Sequence, residues 1–212
     1  MGIDAHWAPI CYGVLVTDIG LREKKRLAVA HDLAQAAFDL LVEYGLDGFT
    51  IDEVTTRAGY ARRTFANHYS CKEEAVTALA IERLRGGALT MPPQPDGTSV
   101  LDWMRALAKH QMAGGQFELL VQLSALARRY PALEPYLAKV FLQIRREATQ
   151  LIQSRVGKGV RPIVVSILVA AAYGALTLIL DNAADPNDAD IGSAAATPEF
   201  LDTVFTQLES GF

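Results

Sequence analysis

Apolar residues recur at threes and fours in one segment of this chain after another, and no stretch of useful length alternates in the two-residue period of a strand. The pattern predicts an all-α fold. From Arg22 to Tyr44, the residues Leu27, Ala30, Ala34, Ala37, Phe38 and Leu41 form one buried stripe. Thr50-Ile51-Asp52-Glu53 has the spacing of a capping box, with a Thr hydroxyl for the N3 amide and Glu53 reaching back to the Thr50 amide. A short helix from Ile51 to Ala58 follows, with Ile51, Val54 and Ala58 on one face. Gly59 stops it, because glycine takes the left-handed conformation at no steric cost. Helix restarts near Ala61 or Arg62. Phe65 and Tyr69 then share one side, leaving Arg62, Arg63, Ala66 and Asn67 for the other. A fourth helix is expected from Lys72 to Arg85, with Ser70 and Glu73 spaced as a second capping box.

The segment GGALTMPPQPDGTS, residues 86–99, reads as a linker. It suggests three parts: an N-terminal extension over 1–21, loosely ordered; a compact helical domain over 22–85; and a larger helical domain over 86–212. In the last part, helical patterns cover 99–112, 116–130, 132–156, 161–182 and about 199–209. The polar stretch DNAADPNDADIGSAAATP separates the final two. Residues 163–180, IVVSILVAAAYGALTLIL, are nearly uncharged, yet they lack the aromatic and basic flanks of a membrane span. A buried helix is the preferred reading. Ala171, Gly174, Ala175 and Leu178 share a face with small side chains that admits a second helix closely. Pairing of this helix and the last one with their mates in a second copy would make a four-helix dimer interface.

Charge and chemistry narrow the function. The chain has 212 residues, half of them hydrophobic, and a net charge of -4. That balance argues against a nonspecific coat on nucleic acid. It leaves room for a local basic face, and the positive residues gather at 22–26, 57–63 and 72. Two cysteines, Cys11 and Cys71, make no disulfide framework and fit a reducing cytoplasm. Cys71 lies near a helix start, where a thiolate is favoured; a plain small residue is the preferred account. The histidines, His6, His31, His68 and His110, have no zinc spacing with the cysteines. No nucleophile elbow, phosphate loop or dinucleotide fingerprint is present. The expectation is a non-enzyme without metal or cofactor. The first twenty residues lack a basic start and a small-residue cleavage site, so they make a poor signal peptide.

Two short helices joined at a glycine, the second rich in donors, form a helix-turn-helix pattern. The segment resembles the DNA-binding domain of the TetR family of bacterial transcriptional regulators. The resemblance rests on Tyr44-Gly45, Gly48-Phe49-Thr50, Ala58-Gly59, Arg63-Thr64-Phe65, His68-Tyr69 and Lys72-Glu73-Glu74, within residues 22–80. Three positions depart from it: Ala61 in place of a capping Ser, the large Tyr60 in the turn, and Ser70-Cys71 in place of Pro-Ser.

On this reading Arg62 or Arg63 donates a fork to guanine, Asn67 pairs with adenine, and Thr50, Thr64, His68, Tyr69 and Lys72 hold phosphates. The resemblance implies a homodimer on a palindromic double-stranded operator, repression by default, and release by a small-molecule effector. Trp103, Met104, His110, Met112, Phe117, Phe141 and Tyr173 are the candidate pocket residues, with Gln111 a further polar anchor. The alternative is a helical small-molecule-binding or interaction protein whose DNA reading is weakened, motivated by Ala61 and the acidic total charge.

Overall fold

The computed structural model describes residues 21–156, 159–182 and 198–210. The extension at 1–20, with Cys11 and His6, lies outside them, as does most of the polar stretch before the last helix. The described residues form nine α-helices and no strand: α1 (Leu21–Tyr44), α2 (Ile51–Ala58), α3 (Arg62–Ala66), α4 (Lys72–Leu89), α5 (Val100–Ala113), α6 (Gln116–Arg129), α7 (Glu134–Arg155), α8 (Pro162–Asn182) and α9 (Pro198–Ser210).

Helix α1 is the hub of the N-terminal part. It packs on both α2 and α4, so it buries more than one stripe. Leu33, Ala36 and Leu40 join the expected Ala34, Ala37, Phe38 and Leu41 in the interior. Single 3-10 turns lie at Leu46–Gly48 and Pro131–Leu133. The second turn starts the chain into α7 where the sequence reading has one uninterrupted helix from residue 132. Pro131 sets the backbone for that first turn without needing an amide partner.

The linker reading is corrected at its start. Helix α4 runs through Gly86 and Gly87 to Leu89. Gly87 is buried, and a Cβ there would sit 3.2 Å from the Gln116 side-chain amide and 3.5 Å from Gln111 Cγ. Packing of α5 and α6 side chains on Gly87 carries the helix past residues whose own propensity would end it. The second capping box is corrected as well. Ser70 donates to Glu74 from its amide at 2.7 Å and its hydroxyl at 2.6 Å, while Cys71 is the N-cap and its side chain caps nothing.

Apolar side chains collect into two cores. The first is continuous from α1, α2, α3 and α4 into α6 and the N-terminal half of α7. The second joins α5, the C-terminal half of α7, α8 and α9. Because the first core crosses residue 85, the described packing has no break at that position. Arg85 on α4 forms a bidentate ion pair with Glu147 on α7, both half-buried. Helix α9 is strapped to α5 by Lys109 to Asp202 at 2.8 Å and Arg105 to Glu209 at 3.2 Å.

Candidate nucleic-acid interface and internal cavity

The short segment 50–72 follows from local chemistry. The Thr50 hydroxyl accepts from the Glu53 amide at 3.3 Å, and Glu53 accepts from the Thr50 amide at 2.7 Å, completing the box. Gly59 has φ +75, a value that L side chains rarely adopt, and its amide reaches the carbonyls of Thr55 and Thr56. Tyr60, large for a turn, donates its hydroxyl to Asp32 on α1 at 2.7 Å. Helix α3 has five residues, and its N-cap Ala61 makes no side-chain cap. A helix this short holds no structure alone. It is anchored by Phe65, 2% exposed, and Tyr69, 5% exposed, whose rings lie 5.7 Å apart.

That anchoring turns Arg62, Arg63, Ala66 and Asn67 outward, all exposed. Asn67 is the C-cap of α3 rather than an interior residue. The two arginines differ. Arg62 donates to Asp52 at 2.7 Å, an ion pair with both members about two-thirds exposed. Arg63 has no ion pair or side-chain hydrogen bond among the described residues. Thr64 is half-buried beside them.

A groove runs from this surface to the start of α1, lined by Arg22, Glu23, Lys25, Arg26, Val29, Asn67 and His68. Arg26 is neutralised by Glu23 at 2.6 Å. Arg57, part of the expected basic cluster, is likewise tied to Glu43 on α1 by contacts of 2.6 and 2.8 Å. The groove therefore draws its free positive charge from Arg22 and Lys25. Burial, and next the Arg26 guanidinium, hold the His68 imidazole below its ordinary value.

Three of the sequence-chosen phosphate contacts are used inside the protein. The Tyr69 hydroxyl donates to the Ala30 carbonyl at 2.9 Å, and burial pushes its phenol well upward. This corrects its reading as a phosphate ligand, since the hydroxyl points into α1. The Lys72 ammonium donates to the carbonyls of Leu46 at 2.5 Å and Phe49 at 2.9 Å and sits over the Phe49 ring. It holds the 45–50 loop against α4, with one proton left. The Thr50 hydroxyl is engaged with Glu53 in both directions. Arg22 and Lys25 are the residues that the sequence reading named only as a basic helix start. Their proximity to His68 depends on the packing of α1 against the segment that follows α3, where the Tyr69 hydroxyl meets the Ala30 carbonyl.

A cavity of about 80 Å³ lies where the two cores meet. Met104, Met112, Phe117 and Tyr173 line it, as does Gln111. Trp103 and Phe141 do not; Trp103 is packed in the second core and Phe141 against the first. His110 faces away, with its ring 3.1 Å from the Thr90 hydroxyl. Sequence reasoning missed Leu84, Ile144, Ile152 and Phe205, which reach the cavity from α4, α7 and α9. Their periodicity marks them only as core.

Helix α8 is buried on one side, at Val165, Val169 and Leu180. Its other side is open: Ile163, Val164, Ile167, Ala170, Ala171, Gly174 and Leu178 are exposed, and Ala175 is half-exposed. The single chain thus does not bury this helix on every face. No helix among the described residues is long and apolar enough to cross a membrane.

Helical architecture, a capped two-helix turn and an outward-facing donor set define a helix-turn-helix DNA-binding protein. Residues 33–79 match the family model described as bacterial regulatory proteins, tetR family, so this segment carries a domain similar to the DNA-binding domain of that family. The matched span begins at Leu33 within α1 and ends at Leu79 within α4. A comparison with curated proteins finds no match to this chain.

Proposed function

We propose that this regulator is a repressor that binds a palindromic operator as a homodimer and releases it when a small molecule fills the internal cavity. The observation that carries the DNA reading is the outward set on α3, with Arg63 free and Asn67 beside it. A guanidinium without a protein partner can offer its full fork to guanine O6 and N7. Arg62 must first leave Asp52, so its share is smaller. Thr64, His68, Arg22 and Lys25 supply the phosphate contacts, with Lys72 contributing one proton from the loop it braces.

Arg63→Ala is expected to weaken operator binding by about 1–3 kcal/mol and relax one base position, with Arg62→Ala weaker in effect. Fluorescence anisotropy titrations of both variants against operator and scrambled DNA measure this. Equal, unchanged affinities would move the reading face elsewhere.

His68 adds a pH dependence. It is neutral near pH 7 in the free protein because its value is depressed. A phosphate beside it favours the charged imidazolium, so the DNA complex holds the proton more tightly than the free protein does. Operator affinity then rises as pH falls through the range below the ordinary histidine value of about 6.5. His68→Gln is expected to flatten that rise in titrations at constant ionic strength. A slope that survives the substitution assigns the proton uptake to another group.

Dimerisation is supported by the open apolar face of α8. Exposed positions 163, 167, 170, 171, 174 and 178 fall within about 100° of the helix circumference. A contiguous apolar stripe of that kind marks a protein contact, and Gly174 has no atom within 4 Å of where a Cβ would stand. Effector control is supported by the seam position of the cavity. Leu84 of α4 belongs both to the cavity wall and to the core that supports α1 and α3. A ligand that prefers one separation of the cores shifts α4 and, with it, the spacing of the two recognition helices.

A further inference from the structure

The cavity at the seam of the two cores has a chemistry that selects its occupant. None of its lining side chains carries a formal charge, and only two are polar: Gln111 on α5 and Tyr173 on α8. Tyr173 packs against both cores. Its hydroxyl makes no hydrogen bond to a described residue. A phenol hydroxyl without a protein partner at a largely apolar wall offers a donor to whatever enters. Gln111 spends one amide proton on the Leu84 carbonyl at 3.3 Å, so its oxygen and second proton remain.

We propose, resting on the effector reading above, that the cavity takes a neutral, mainly hydrocarbon molecule no larger than one substituted ring, bearing a single acceptor oxygen that accepts a hydrogen bond from the Tyr173 hydroxyl. Three features exclude the charged alternatives. No cation lines the space to balance a carboxylate. Burial, and next the negative field of Glu147, raises the Tyr173 phenol, and that field disfavours an anion at the polar end. A cation finds no free carboxylate there, because Glu147 is engaged by Arg85 and by the Gln143 amide.

Size comes from the volume. A dry engineered cavity of about 150 Å³ holds benzene, and this one measures about 80 Å³. That is about half the benzene figure, so a ring enters only as Met104 and Met112, unbranched residues of the wall, repack around it. A single substituted ring is therefore the upper limit, and a fused polycyclic skeleton is excluded.

The test uses calorimetric titration of the full chain, without DNA, against acetophenone, ethylbenzene and benzoate. Acetophenone should bind, ethylbenzene more weakly, and benzoate at least about tenfold more weakly than acetophenone. Tyr173→Phe should lower acetophenone affinity by about tenfold and leave ethylbenzene within about twofold. Ala172→Leu, which narrows the cavity without touching either polar group, should weaken both neutral probes. Benzoate binding as tightly as acetophenone, a Tyr173→Phe variant with unchanged preference, or no binding by any probe would overturn the proposal. A gel shift with acetophenone separates it from the reading beneath it. Binding with the expected preference but no change in operator release leaves the cavity chemistry standing and removes effector control.

Discussion

Ile167→Glu on the open face of α8 should convert the protein to a monomer and lower apparent operator affinity by about 10²–10⁴-fold. Ile167 is 60% exposed in the single chain, so glutamate there is solvated and should leave the fold within about 0.5 kcal/mol of wild type. In a dimer the same carboxylate would be buried against a partner helix of small and branched residues. An unpaired charge in such a place is strongly unfavourable. Losing the dimer separates the two recognition helices, and the gain from binding two half-sites at once disappears. Light scattering after gel filtration reports the mass, and a melting curve checks the fold. A dimer that persists with normal affinity would place the interface elsewhere. Leu178→Glu, 64% exposed on the same stripe, is expected to behave alike.

The second large effect is Phe65→Ala. Phe65 is the main anchor of a five-residue helix, and its side chain is among the largest fully buried in the protein. Replacing a buried Phe by Ala costs about 3–5 kcal/mol, from lost burial and the cavity left behind. The first core runs from α1 through α4 into α6 and α7, so the loss should appear in global unfolding and not only in α3. Chemical denaturation measures it. Operator binding should fall below detection in parallel. Arg63→Ala provides the contrast: its side chain has no partner among the described residues, so binding should fall while the denaturation curve stays put. If Phe65→Ala leaves stability unchanged, the packing described for α3 is not what holds it.

The difference between these two variants reflects what can be read locally. Thr50 and Glu53 are three residues apart, and their reciprocal cap needs nothing beyond the helix they start. Gly59 is the same: one left-handed residue ends α2 wherever it is packed. The outward direction of Arg62, Arg63 and Asn67 was legible because Phe65 and Tyr69 are four apart and must share the buried side. These features carry the helix-turn-helix.

Contacts across long separations were not legible. Tyr69 finds the Ala30 carbonyl 39 residues earlier, and Lys72 finds carbonyls 23 and 26 residues earlier. Each looks from its neighbours like a phosphate ligand. Arg57 belongs to a basic cluster in the chain, yet Glu43 on α1 neutralises it in the fold. Gly86 and Gly87 read as a linker because their intrinsic preference opposes helix. Gln111 and Gln116 pack over Gly87 from α5 and α6 and reverse that preference.

By itself, the order of residues determined the helical class, the caps and glycine stop of the two-helix turn, and the side of α3 that meets solvent. Those depend on interactions within one or two turns of chain. Tertiary structure alone decided which cations remain free, how α4 joins the two cores, where the cavity lies between them, and which face of α8 is left uncovered. Such features depend on distant segments meeting, and helical periodicity records that a residue is buried without recording what it is buried against.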